Sequence, residues 1–108
     1  MITISLCNNK GGVAKTTSAF NLIHYLSDNG LRVLGIDLDP QGNLSTAFGT
    51  NPNVLKGTAY DIMSEYTLMN NKNSDKQLTK YLINIKENID LLPSNLTLFG
   101  KSKYQFFF

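Results

Sequence analysis

Between an apolar opening segment and an amphipathic helical pattern lies a polar loop with paired glycines, Asn8-Asn9-Lys10-Gly11-Gly12. No other feature constrains the fold as much. Met1 to Cys7 is rich in Ile and Leu and reads as a short buried strand ending in a small core residue, Cys7. From about Val13 to Asn29 the residues Ala19, Phe20, Leu22, Ile23 and Leu26 recur at three- and four-residue intervals, which predicts a helix with one buried side. Gly30 stands where a helix stop is expected, since it accepts the left-handed conformation without a Cβ clash. Val33-Leu34-Gly35-Ile36 follows as a second strand. Strand, helix and strand in this order form a βαβ unit, which implies a parallel sheet. Further on, Leu44 to Phe48 reads as a helical turn, and Thr58 as the cap of a short helix reaching about Glu65. Asn70 to Lys76 reads as a solvated loop, and Leu78 to Ile83 as a short helix or a strand. Ile89 to Leu92 reads as a third strand stopped by Pro93, which has no N–H for a ladder.

The 108 residues are 42% hydrophobic with a net charge of +2, so one globular domain is expected and wholesale disorder is excluded. No apolar run approaches the roughly 20 residues of a membrane-spanning helix. The single cysteine cannot staple the fold and suits a reducing, cytoplasmic setting. The charge is too small to argue for nucleic acid by itself.

The loop's chemistry suits a triphosphate. Glycines let backbone N–H groups turn inward, and the following helix adds the positive end of its dipole. Lys15 would reach the outer phosphates as a point charge, and the Thr16 hydroxyl suits Mg²⁺, which prefers oxygen ligands. The strict pattern G-x-x-x-x-G-K-[ST] fails at both glycines, because Asn9 and Ala14 occupy them. The string Lys10-Gly11-Gly12-x-x-Lys15-Thr16-Thr17 instead resembles the deviant P-loop of the ParA/MinD group of ATPases. The resemblance implies that Gly11, Gly12, Val13, Ala14, Lys15, Thr16 and Thr17 bind the nucleotide. It implies that Lys10 acts in trans, on the phosphates of a partner subunit across a nucleotide-sandwich homodimer. Ala14 stands where most relatives have glycine; a positive φ there would strain it and lower nucleotide affinity.

Just past the second strand, Ile36-Asp37-Leu38-Asp39-Pro40-Gln41-Gly42-Asn43 places two carboxylates two residues apart, which on an extended backbone point the same way. Ligands of open α/β sheets bind at that strand edge. The string is similar to the corresponding segment of ParA-type partition proteins, closer than to that of MinD. By that resemblance Asp39 orients the attacking water and Asp37 holds a Mg²⁺-bound water. A weaker match, Ile89-Asp90-Leu91-Leu92-Pro93-Ser94-Asn95-Leu96, resembles a strand and loop of the same family with nothing obviously catalytic in it.

The resemblance covers about residues 1 to 99, with 100–108 a divergent tail of the kind that follows a frameshift or early stop. It implies an α/β chain with a parallel, P-loop-type sheet, corresponding to the N-terminal part of the domain. The implied activity is Mg²⁺-dependent ATP hydrolysis in plasmid or chromosome partition, with a centromere-binding partner protein, non-specific DNA and no membrane. A complete family member would continue into a strand carrying the Walker-B aspartate, so Ile2, Ile4 and Leu6 are expected to show an uncovered apolar edge without it. Two alternatives stay open: a nucleotide-binding or dimer-interfering fragment without turnover, and another deviant P-loop enzyme such as a MinD-like regulator, a nitrogenase-type reductase or a cobyrinate amidating enzyme. His24 reads as a surface or partly buried helix residue, and the lysines from Lys72 to Lys86 as a solvated face.

Overall fold

A computed structural model describes residues 1–7, 14–68 and 79–95, side chains of 66–68 excepted. The expected loop at 70–76, the tail at 100–108 and residues 8–13 lie outside them. The element order is α1 (Lys15–Asp28), β1 (Val33–Ile36), α2 (Asn43–Ala47), α3 (Ala59–Leu68), β2 (Ile83–Lys86) and β3 (Ile89–Leu92).

The helical spacing read from Ala19 to Leu26 places α1 on the sheet. Ile23 is buried against Leu44, Ile89 and Leu91, flanked by Ala19, Phe20, Val33 and Phe48. α1 stops where expected, with Gly30 at φ 84°. His24 is half-buried, 4.5 Å from the Phe20 ring and 5.5 Å from that of Phe48. The three strands run in the order β1-β3-β2. β1 and β3 are parallel, with Val33 opposite Ile89 and Ile36 opposite Leu92. β2 is antiparallel to β3, so the sheet is mixed rather than wholly parallel. A turn at Glu87-Asn88 joins them, and Asn88 takes φ 65°, a conformation asparagine tolerates.

Strand alternation puts Ile89 and Leu91 on the α1 face and Leu92 on the other. There Leu92 packs with Ala59 and Tyr81, flanked by Ile62 and Leu82. Thr58 starts α3 as expected: its N–H and hydroxyl both donate to the Asp61 carboxylate, at 2.7 and 3.0 Å. Residues 79–81 are helical and the strand begins at Ile83, so the ambiguous stretch resolves into both.

The first expected strand is also absent. Met1 to Cys7 forms no strand, and all seven residues, Cys7 included, are exposed. A strand exists only where a neighbour offers ladder partners, and none of the described strands pairs with this segment. The expected apolar exposure of Ile2, Ile4 and Leu6 is present.

Candidate functional site

The chain brings the start of α1 and the Asp37–Asp39 pair to one edge of the sheet. Ser27, near the end of α1, donates to the Glu87 carbonyl at 3.3 Å, and Asp28 meets Lys86 at 3.0 Å. The last turn of α1 therefore lies at the start of β3. Fourteen helical residues span about 20 Å, which carries Lys15 to the opposite end, where β1 and β3 finish. Asp37, Asp39 and Ser94 follow those strand ends.

Of the phosphate-loop residues, Lys10, Gly11, Gly12 and Val13 lie outside the described ones. Ala14 is the N-cap of α1 at φ 57°, ψ 27°, in the left-handed region. The condition set for strain is therefore met, at a cost of about 1–2 kcal/mol. Its carbonyl accepts the first helical bond, from the Ser18 N–H at 2.9 Å. Lys15 and Thr16 are half-buried in the first turn, and Thr17 is exposed. That turn has no side-chain cap and no acidic residue. The positive dipole end, a lysine and two threonine hydroxyls make a set suited to an anion and its hard cation.

The carboxylates diverge. Asp37 is buried, and its N–H extends the ladder to the Leu92 carbonyl at 3.0 Å. Its Oδ1 accepts the Asp39 N–H at 3.1 Å, while Oδ2 accepts the Ser45 N–H at 2.9 Å and the Ser45 hydroxyl at 2.6 Å. Ser45 Oγ in turn accepts the Ser94 N–H at 2.9 Å. Asp37 thus caps α2 from outside, where the N-cap itself is Gly42 at φ 63° and has no side chain to offer. A Cβ on Gly42 would lie 2.6 Å from the Ser94 carbonyl oxygen, so only glycine lets the two segments close. Among the described residues, one of the four carboxylate lone-pair positions of Asp37 has no donor, on Oδ1, where a metal-bound water would fit. Asp39 is half-buried and uses one oxygen to accept the Gln41 N–H at 2.9 Å. It keeps more acceptor capacity than Asp37.

Ser45 and the Ser94 backbone escaped sequence reasoning. Eight residues separate Ser45 from Asp37, a spacing with no motif, and Ser94 acts through its amide, which no side-chain pattern reports. Beside this knot a shallow hollow is lined by Leu38, Pro40, Ala59, Tyr60, Met63 and Asn95. Among the described residues its lining holds no cation. On the far face, the hydrogen bond from the Tyr81 hydroxyl to the Glu65 carboxylate at 2.8 Å, reinforced by burial, pushes Tyr81 up to about 12.

Comparison with known proteins follows this geometry. The chain is 41% identical over 98 residues to a ParA family protein of Mycoplasma pneumoniae, covering 88% of this chain and 36% of that protein. It therefore spans about a third of the length of the curated relatives it matches. Cobyrinic acid a,c-diamide synthase from Mycobacterium smegmatis, solved with an ATP analog and magnesium, superposes with TM-score 0.70 at 35% identity. That match covers 85% of this chain and 34% of the synthase. A plasmid partition protein from Borrelia burgdorferi superposes with TM-score 0.60 at 36% identity, over 89% of this chain and 41% of that one. Among the described residues no helix is long and apolar enough to cross a membrane. A family model described as an AAA domain matches residues 1–106, and with the ParA relatives it establishes that the chain belongs to the AAA-domain family of the ParA/MinD type.

Proposed function

We propose that this chain is the nucleotide-gripping, N-terminal portion of a ParA-like partition ATPase, acting in plasmid or chromosome segregation. The observation that carries the reading is the shared sheet edge, where the uncapped start of α1 lies at the same end as Asp37 and Asp39. The similarity to partition proteins supports the same reading.

In this reading the backbone from Gly11 to Thr17 and the ammonium of Lys15 hold the phosphates, and Thr16 supplies an oxygen to Mg²⁺. Bound Mg²⁺ would supply charge neutralisation at the phosphates. Asp39, with its free acceptor capacity, orients a water, and the open position on Asp37 Oδ1 accepts a hydrogen bond from the metal's hydration shell. Lys10 reaches a second subunit in a nucleotide-sandwich homodimer, delivering positive charge as an arginine finger does. A centromere-binding protein and non-specific DNA are the partners of the whole protein, and its setting is cytoplasmic. Mg·ATP should raise the melting temperature of the purified chain, and Lys15→Ala should abolish that shift. No shift, or one indifferent to Lys15→Ala, refutes the reading.

A second reading, nucleotide binding without turnover, is favoured by the engagement of Asp37 in the α2 cap. ATP binding with no phosphate release would select it. The superposition on cobyrinic acid a,c-diamide synthase fits the same phosphate-binding edge, whereas the Asp39-Pro40-Gln41-Gly42-Asn43 string favours the partition branch.

A further inference from the structure

Asp37 and Ser45 are both buried, at 4% and 1% exposure, and the hydroxyl between them is committed at both ends. Ser45 Oγ accepts the Ser94 N–H at 2.9 Å and donates to Asp37 Oδ2 at 2.6 Å. Chemistry fixes the direction. An amide N–H only donates and a carboxylate only accepts, so the hydroxyl proton points at Oδ2. The Ser45 N–H reaches the same oxygen at 2.9 Å, and both acceptor positions of Oδ2 are therefore filled. Ser45 is itself pinned in place, because its carbonyl accepts the Thr50 N–H at 3.1 Å and the Thr50 hydroxyl at 2.8 Å. Asp39 is the contrast: it is half-buried, and its carboxylate accepts only the Gln41 N–H among the described residues.

The filled positions bear on which cation this edge can take. Ca²⁺ gathers many oxygens in a flexible shell and readily takes one carboxylate through both of its oxygens. Mg²⁺ holds a tight octahedral shell and usually keeps several waters in it. A carboxylate whose Oδ2 is fully occupied cannot chelate; it can only accept a hydrogen bond, through Oδ1, from a water on the metal. We propose that the Ser45 hydroxyl determines cation specificity, keeping Asp37 from chelating and so favouring Mg²⁺ over Ca²⁺ beside the nucleotide. Ser45 acts through Asp37, as a positioning residue. The proposal rests on the nucleotide-binding reading above and adds a selectivity that neither sequence motif contains.

Thermal-shift titrations of the full chain with ATP, at saturating Mg²⁺ or saturating Ca²⁺, read the selectivity as a ratio of two apparent affinities. The parent should bind Mg·ATP several-fold more tightly than Ca·ATP. Ser45→Ala removes the hydroxyl and keeps the backbone N–H, which opens one position on Oδ2. The ratio should then shrink about fivefold, through a gain for Ca·ATP. Ser45→Thr keeps a hydroxyl on the same carbon and should keep the preference. A merely structural role would weaken both complexes alike and leave the ratio unmoved in Ser45→Ala, which overturns the proposal. Loss of the preference in Ser45→Thr overturns it too. A parent that binds the two complexes equally overturns it without recourse to any variant. The underlying reading fails separately: a Mg·ATP shift lost in Lys15→Ala sustains nucleotide binding whatever the ratio, whereas no shift with either complex sinks both.

Discussion

The two halves of the candidate site occupy the same sheet edge but differ in how they are held. Around Asp37 the protein satisfies itself: one buried carboxylate takes three hydrogen bonds, and Ser45 passes the connection to the Ser94 amide. Around the start of α1 no side chain caps the helix and the first turn carries no acidic residue, and Ala14 is held in a conformation alanine disfavours. Upstream of it, Met1 to Cys7 is exposed and joins none of the described ladders. The contrast separates framework from recognition. The carboxylate half fixes the shape of the edge, whereas the loop half is where an anion has something to gain.

The strongest way to break this contrast is to remove the framework. Asp37→Ala would orphan the Ser45 amide, the Ser45 hydroxyl and the Asp39 amide at once. Bonds to a charged acceptor contribute about 1.5–3 kcal/mol each, and partial rehydration would leave a net loss of about 3 kcal/mol. Asp39→Ala removes a single cap on the Gln41 amide and should cost under about 1 kcal/mol. Urea denaturation of the two variants side by side measures the difference. Equal losses would mean that the two carboxylates do the same job.

The next test sharpens the claim that the framework is packed from both faces. β3 lies between α1 on one side and α3 with Tyr81 on the other, and the Ala59 N–H donates to the Pro93 carbonyl at 2.8 Å. Tyr81→Phe deletes the hydroxyl that donates to Glu65 and should cost about 2 kcal/mol in the same denaturation assay. The effect carries a pH signature. Because the folded phenol holds its proton up to about 12 against an ordinary 10.0, the native state binds more protons than the unfolded state in that window. Stability from this pair is therefore complete below pH 10 and falls as pH rises from 10 through 12. Denaturation midpoints of the parent chain should decline across that window, and this part of the decline should vanish in Tyr81→Phe.

What the sequence reveals follows the same division. Val33–Ile36 and Ile89–Leu92 are legible because a run of β-branched and leucine residues bounded by Gly or Pro has few other uses. α1 is legible because its apolar spacing reports a buried face directly. Ile83 to Lys86 also alternates, with a turn residue at Asn88, a signal that runs beyond the Leu78 to Ile83 stretch that reads as a short helix or a strand. Ser45 was not legible, since its role depends on a backbone amide brought from 49 residues away. Met1 to Cys7 misleads for a different reason. A hydrophobic pattern reports which residues would be buried in a sheet, not whether a neighbouring strand is there to complete it. The left-handed φ of Ala14 is a property that no residue order reports, and only coordinates reveal the strain there.

That strain gives the smallest and most selective test. An alanine in the left-handed region costs about 1–2 kcal/mol, which glycine relieves. Glycine also brings more freedom to the unfolded chain, worth about 0.4–1 kcal/mol in the opposite direction. The two nearly cancel, so Ala14→Gly should leave the denaturation midpoint almost unmoved. Nucleotide binding should be nearly as indifferent, because the strain already present in the folded chain is carried by the free and the bound chain alike and cancels between them. Titration calorimetry should therefore find Mg·ATP bound by Ala14→Gly within about twofold of the parent. A complex several-fold tighter with an unmoved midpoint would mean that the left-handed conformation is imposed by the nucleotide and belongs to the recognition half of the edge. A raised midpoint with unchanged affinity would place the strain in the framework and erase the distinction between the two halves at this residue.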